Sequence, residues 1–124
     1  MRNRFAPCRY SCAALLAVGL AMQTATSGPV DDPQLATLLD NIERSYNASN
    51  TAAIDSIRLA IVNIGETAGQ DSAKRDLATY LAAYARLRQS LLVADNKALA
   101  RSYLEDCITG LKALLERRDD DAQA

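Results

Sequence analysis

Few side chains in this 124-residue chain are of the types that perform chemistry. Histidine is absent, so every metal, haem or triad scheme that depends on imidazole is excluded. Serine and threonine residues have no recognisable base partner, and no glycine-rich phosphate loop occurs. The sequence therefore predicts no catalytic residue, no cofactor or cofactor-binding residue, and no enzymatic activity.

Three adjacent carboxylates at Asp119, Asp120 and Asp121 form the only run that suggests a cation site. A calcium loop alternates its ligands and adds a glycine and a distal Glu, all of which this run lacks. We expect a solvated acidic turn at a helix exit and no metal site. Arg117 and Arg118 precede it in the last helical turn, where cations oppose the negative end of the helix dipole.

Two tyrosines and two arginines are the strongest candidates for binding a partner. Tyr80 and Tyr84 are one helical turn apart and could form the floor of a peptide groove, although such tyrosines are more often core residues. Arg86 and Arg88 could meet an acidic peptide terminus, although a solvated face is the commoner outcome. The sequence leaves the partner-binding residues unassigned.

Cysteine usage limits the possible crosslinks. Cys8 and Cys12 lie in the N-terminal segment, so Cys107 is the one cysteine in the remainder of the chain. Its neighbours at helical spacing are apolar, which predicts a buried core thiol.

The elements that position these residues are helical, because apolar residues recur at helical spacing and no segment alternates with period two. Cap residues and glycines separate four segments. A loop is expected from Gly65 to Gln70, and the expected helices span residues 33–47, 51–64, 72–93 and 97–117.

Short connections make successive helices antiparallel neighbours, with helix one beside helix two and helix three beside helix four. This all-α pattern fits two helical hairpins in tandem and equally a four-helix bundle. Gly110, inside helix four, predicts a close contact between helices.

The N-terminal 27 residues have the order of a secretory signal peptide. Arg2, Arg4 and Arg9 precede an apolar run over residues 13–22, and small residues follow up to Ser27. We expect cleavage near Ser27, or alternatively after Ala25, which leaves one helical domain over residues 28–124. No membrane span remains after cleavage.

The remaining domain is acidic. It carries eleven basic and fifteen acidic residues, a formal charge of −4. A negative domain argues against nucleic acid as a partner.

Residues 72–124 resemble a tetratricopeptide repeat. Ala113-Leu114 match the small-Leu pair of a second repeat helix, and Asp120-Asp121-Ala122-Gln123-Ala124 match the entry to a following repeat. Tyr80, Ala83, Tyr84 and Leu87 are similar to a first repeat helix, whereas the family's Trp, Leu-Gly pair and turn Pro are missing. The resemblance implies a degenerate right-handed stack of hairpins and a protein or peptide partner.

Together these features predict an exported, periplasmic or secreted protein-interaction module or scaffold. The alternative is a small four-helix-bundle envelope protein that binds an apolar ligand or has a structural role. The broad apolar stripes of helices three and four also predict self-association through their exposed face.

Overall fold

A computed structural model describes residues 32–123 of the chain, with side chains up to residue 119. The expected signal peptide and its cleavage point lie outside these residues. The described part is all-α, as predicted, and contains no strand. Its four helices are α1 (Pro33–Asn47), α2 (Thr51–Glu66), α3 (Ser72–Leu92) and α4 (Lys97–Gln123).

Each helix begins after an Asp or Asn that caps it. The side-chain oxygen accepts a hydrogen bond of 2.9–3.2 Å from a backbone N–H two or three residues along the chain. Such bonds satisfy donors that a helix leaves unpaired at its N-terminus. The capping residues are Asp32, Asn50, Asp71 and Asn96.

The connection between α2 and α3 begins later than expected. Gly65 is not a loop residue but lies inside α2, which ends at Glu66. A Cβ atom on Gly65 would lie 3.1 Å from the Ala78 Cβ, so its missing side chain allows α2 and α3 to approach. Gly69 has φ +65°, the left-handed conformation that glycine adopts at little cost.

The end of α4 differs from the sequence prediction. The expected acidic turn at residues 119–121 is wrong, because their backbone is helical and α4 continues to Gln123. No Gly or Pro follows Gly110 in the sequence, so neither of the residues that most often end a helix is present.

Helix α3 is central in the packing of the unit that begins at Thr37. Its backbone lies within contact distance of both α2 and α4. This packing is compatible with tandem hairpins and with a bundle. The shared core consists mainly of Ile54, Ile61, Ile64, Ala78, Tyr80, Leu81, Ala83, Ala85, Cys107 and Leu114.

Two features of the contact between α3 and α4 match their predictions. A Cβ atom on Gly110 would lie 3.4 Å from the Ala83 Cβ, so the helices do approach closely there. Cys107 is a free thiol and is buried, with 4% of its surface exposed. Burial raises the pKa of this thiol, which keeps it protonated and unreactive at neutral pH.

None of the four described helices combines the length and the apolar character needed to cross a bilayer.

Candidate functional site

Charged side chains from three helices meet in a group that we term the Asp55 cluster, formed by Asp55, Arg58, Arg86, Gln89 and Asp106. The Asp55 Oδ1 atom accepts hydrogen bonds from Arg58 Nε at 3.0 Å and from Arg86 Nη1 at 3.3 Å. Arg86 Nε lies 3.1 Å from Asp106 Oδ2. The cluster therefore links α2, α3 and α4 through one guanidinium group.

Gln89 is the fully buried member of this cluster, with no exposed surface. Its Oε1 atom accepts from Arg86 Nη1 at 3.0 Å, and its Nε2 atom donates to the Thr51 carbonyl at 3.3 Å. A longer contact of 3.4 Å joins Nε2 to Asp55 Oδ1. Because both ends of the amide are bonded, its burial leaves no unmatched polar group.

The ionisation of Asp55 reflects these partners. Burial raises the pKa of this carboxyl, but the hydrogen bonds and charges of Arg58, Gln89 and Arg86 outweigh burial and hold the pKa below its usual value. The Asp55 carboxyl group therefore stays ionised at neutral pH. It is suited to form ion pairs with arginine side chains and is not suited to transfer protons.

A second group, which we term the Glu43 cluster, consists of Glu43, Tyr46, Tyr84 and Arg88. Arg88 donates to both carboxylate oxygens of Glu43, at 3.0 Å to Oε1 and 2.7 Å to Oε2. The Tyr84 hydroxyl donates to Glu43 Oε1 at 2.8 Å and accepts from Arg88 Nε. The guanidinium lies 4.2 Å from the centroid of the Tyr46 ring.

This arrangement perturbs the Tyr84 hydroxyl. Burial, followed by the hydrogen bond and charge of Glu43, raises the pKa of Tyr84 to about 12, while Arg88 opposes the rise. The hydroxyl therefore stays protonated and serves as a structural link between α1 and α3.

The expectation that Arg86 and Arg88 form a solvated face is wrong. Their side chains are only 18% and 24% exposed. They lie two residues apart on α3 and point to different neighbours, Arg86 towards α2 and α4 and Arg88 towards α1. Carboxylates from those helices pair with both guanidinium groups. These ion pairs offset the free-energy cost of removing the guanidinium groups from water.

An open groove runs beside the Asp55 cluster, between α2, α3 and α4. Its volume is about 450 Å³. Small residues on all three helices make room for it, since larger side chains would fill the space between the helices. These residues are Gly65, Ala78, Thr79, Ala82, Ala83, Thr109 and Gly110.

The groove is lined by more cations than anions. Four arginines border it, against the two acids Glu66 and Asp106. Three of these arginines are engaged with carboxylates, two through the Asp55 cluster and one in a 3.0 Å contact with Asp76. The lining arginines are Arg58, Arg75, Arg86 and Arg117.

Arg75 is the exception among the four. Its Nη2 atom donates to the Gly69 carbonyl at 3.2 Å, but its Nε atom is buried and has no hydrogen-bond acceptor among the described residues. A buried donor without an acceptor costs about 1–3 kcal/mol. An acceptor brought by a ligand would remove that cost if the Arg75 side chain turned its Nε atom towards the groove.

The tyrosines proposed from sequence as a groove floor do not line the groove. Tyr80 is buried in the core between α3 and α4, and Tyr84 belongs to the Glu43 cluster. Burial, followed by the charge of Cys107, raises the pKa of Tyr80. The sequence did contain a signal for the observed groove in its small residues, but small residues alone do not show which of them face each other across helices. The residues concerned are Gly65, Ala78, Ala82 and Gly110.

The described residues contain no group of three or more His, Cys, Asp or Glu side chains arranged to hold a metal ion. No protein-family model, curated protein or solved structure matches this chain. The groove and its side chains are therefore the features from which a function can be inferred.

Proposed function

We propose that this chain is an exported protein-interaction module without catalytic activity, whose groove binds a short acidic peptide segment of another protein. The two hairpins would act as degenerate tetratricopeptide-like units that hold the groove open. This proposal combines the sequence resemblance with the geometry between α2, α3 and α4.

The observation that carries the proposal is the buried, unsatisfied Arg75 Nε atom at the wall of a basic groove. A guanidinium binds a carboxylate through two parallel hydrogen bonds, and such charge-assisted bonds are stronger than neutral ones. A peptide Asp or Glu, or a C-terminal carboxylate, would supply the acceptor that the described residues do not.

The size and lining of the groove favour a peptide over a large ligand. About 450 Å³ lies at the lower end of the range for small-molecule pockets and accommodates one or two side chains of a peptide. Its floor of glycine, alanine and threonine contributes few large apolar side chains, so an extended backbone can approach closely. Arg75, the wall arginine that is not engaged with a carboxylate, then favours a negatively charged segment.

The proposed location follows from the N-terminal sequence. Positive residues, an apolar run and small residues precede residue 28, and the charge of −4 on residues 28–124 suits a soluble exported domain. Intact-mass analysis of the protein from its native host should give a chain that begins at Gly28, or at Thr26 for the alternative site. A stable species that retains Met1 would contradict export with cleavage.

Peptide display tests the proposed function. The probe is a phage-displayed library of random 12-residue peptides, selected on the immobilised protein. We expect the enriched peptides to contain Asp or Glu at a fixed position and to bind with dissociation constants in the micromolar range. Arg75→Gln should weaken the best peptide roughly tenfold, the effect of losing one charge-assisted hydrogen bond.

Matched variants separate the groove from the general surface. Ala82→Leu should obstruct the groove and abolish peptide binding, whereas Ala73→Leu on the exposed part of α3 should leave it unchanged. Arg101→Gln on α4, an exposed arginine outside the groove, controls for loss of charge. Circular dichroism confirms that each variant is folded.

The same variants distinguish the alternative function. If no peptide is enriched but an apolar dye binds and Ala82→Leu abolishes that binding, the groove takes an apolar ligand and the peptide proposal is wrong. Enrichment of peptides that bind Arg75→Gln as tightly as the unaltered protein would refute the role of Arg75.

A further inference from the structure

The surface of α4 that faces away from the groove carries an apolar stripe. Leu104, Ile108 and Leu115 are 40%, 50% and 58% exposed, and Leu111 between them is half-buried. Their spacing of four, three and four residues places all four side chains on one face of the helix. Several large apolar side chains on one exposed face mark an interaction surface more strongly than scattered ones do.

The spacing is that of a coiled-coil seam. In heptad terms Ile108 and Leu115 occupy a positions, and Leu104 and Leu111 occupy d positions. The seam extends over about 17 Å at 1.5 Å per residue. One flank of the seam is already occupied, since Cys107 and Leu114 at the g positions are buried in the core.

The free flank carries the charges that would select a partner. Glu105 and Lys112 occupy successive e positions, and both are exposed. In an antiparallel pair of identical helices, Ile108 packs on Leu111 of the second copy and Leu104 on Leu115. This register places Glu105 opposite Lys112 of the second copy, and two-fold symmetry repeats the ion pair.

We propose that α4 is the interface of an antiparallel homodimer, in which this seam packs against the same seam of a second copy and Glu105 pairs with Lys112. A parallel arrangement would place each e residue opposite a buried g residue and would leave both charges without partners. The charge pattern therefore selects the antiparallel orientation and a second copy of this chain as the occupant.

The arginines at the ends of the seam limit its strength. In the proposed register Arg101 lies opposite Arg118 of the second copy, so each end of the interface opposes two like charges. Both side chains are exposed, and solvent reduces their repulsion. A seam of four apolar layers bounded by such charges should give a dimer with a dissociation constant in the micromolar range.

Sedimentation across a concentration series, combined with charge reversal, tests the proposal. Glu105→Lys alone and Lys112→Glu alone should each weaken the dimer roughly tenfold, because each change turns two attractions into two repulsions. An equimolar mixture of the two variants should form a heterodimer within about threefold of the original affinity, since both contacts again join opposite charges, one in the original polarity and one reversed.

Further variants control for folding and for nonspecific charge effects. Glu116→Lys, an exposed reversal outside the seam, should leave the affinity unchanged, and Ile108→Asp should abolish the dimer while circular dichroism stays unaltered. Arg118→Glu should strengthen the dimer, since it faces Arg101. A protein that stays monomeric up to about 500 µM, or a dimer indifferent to both single reversals, would overturn the proposal.

Discussion

Two arginines of α3 that are only two residues apart have different surroundings. Arg88 is enclosed in the Glu43 cluster, where it donates to both carboxylate oxygens of Glu43 and to the Tyr84 hydroxyl, and two tyrosine rings lie near it. Arg86 divides its donors among Asp55, Gln89 and Asp106, and it borders the open groove.

The difference separates a structural ion pair from a site that can bind. In the Glu43 cluster the guanidinium, the carboxylate and the hydroxyl all bond to one another. Beside the Asp55 cluster, the groove is bordered by one donor, Arg75 Nε, that has no acceptor among the described residues. The same residue type therefore forms a closed ion pair on one side of α3 and, in the proposed function, borders a recognition groove on the other.

The largest effect should come from Gln89→Ala, which removes the buried centre of the Asp55 cluster. The change removes the hydrogen bonds to the Thr51 carbonyl and from Arg86 Nη1 and creates a cavity, so we expect the free energy of unfolding to fall by about 2–4 kcal/mol. Urea denaturation measures it. Gln70→Ala, at an exposed loop position, is the control and should stay within about 0.5 kcal/mol.

A smaller loss, about 1–3 kcal/mol, should follow Arg88→Met in the Glu43 cluster. The substitution leaves the Glu43 charge without its partner, but that side chain is 38% exposed and water relieves part of the cost. Adding Glu43→Gln should recover part of the loss in the same urea assay. No recovery would show that the ion pair contributes through packing alone. Arg44→Met, at a highly exposed pair with Asp40, should change stability by less than about 0.5 kcal/mol.

Alkaline titration should reveal the Glu43 cluster through Tyr84. The folded pKa of about 12 lies above the ordinary value of 10.0, so the stability from this group is fully present below pH 10 and is lost as the pH rises towards 12. Ultraviolet absorbance of the phenolate follows the titration, and Tyr84→Phe should remove this step. Persistence of the step in Tyr84→Phe would assign it to another tyrosine.

The smallest effect should come from acid titration of the Asp55 cluster. The folded pKa of Asp55 lies below its ordinary value of 3.8, so its contribution is present above that pH and is lost as the pH falls through the folded pKa. The side chain is 41% exposed, which limits the effect. Comparing thermal unfolding of the protein and of Asp55→Asn between pH 5 and pH 2.5 measures it. Identical pH dependence in the two proteins would contradict the prediction.

Local patterns explain which parts of the fold were predictable. Caps such as Asn50 and Asp71 bond to backbone groups three residues away, so the helix starts could be read from neighbours in sequence. The burial of Cys107 followed from apolar residues on the same helical face. The predicted end of α4 was wrong because an acidic run does not by itself end a helix, and no Gly or Pro follows Gly110 in the sequence.

The sequence by itself determined the helical class, the helix starts, the lack of imidazole chemistry and the acidic charge of residues 28–124, since each depends on composition or on residues within one or two turns. Only the tertiary structure decided the partners of the charged residues. Glu43 and Arg88 are 45 positions apart, and Asp55 and Arg86 are 31 apart. Helical periodicity fixes the face on which a side chain lies but not the helix that packs against that face, so neither ion pair nor the groove could be assigned before the helices were assembled.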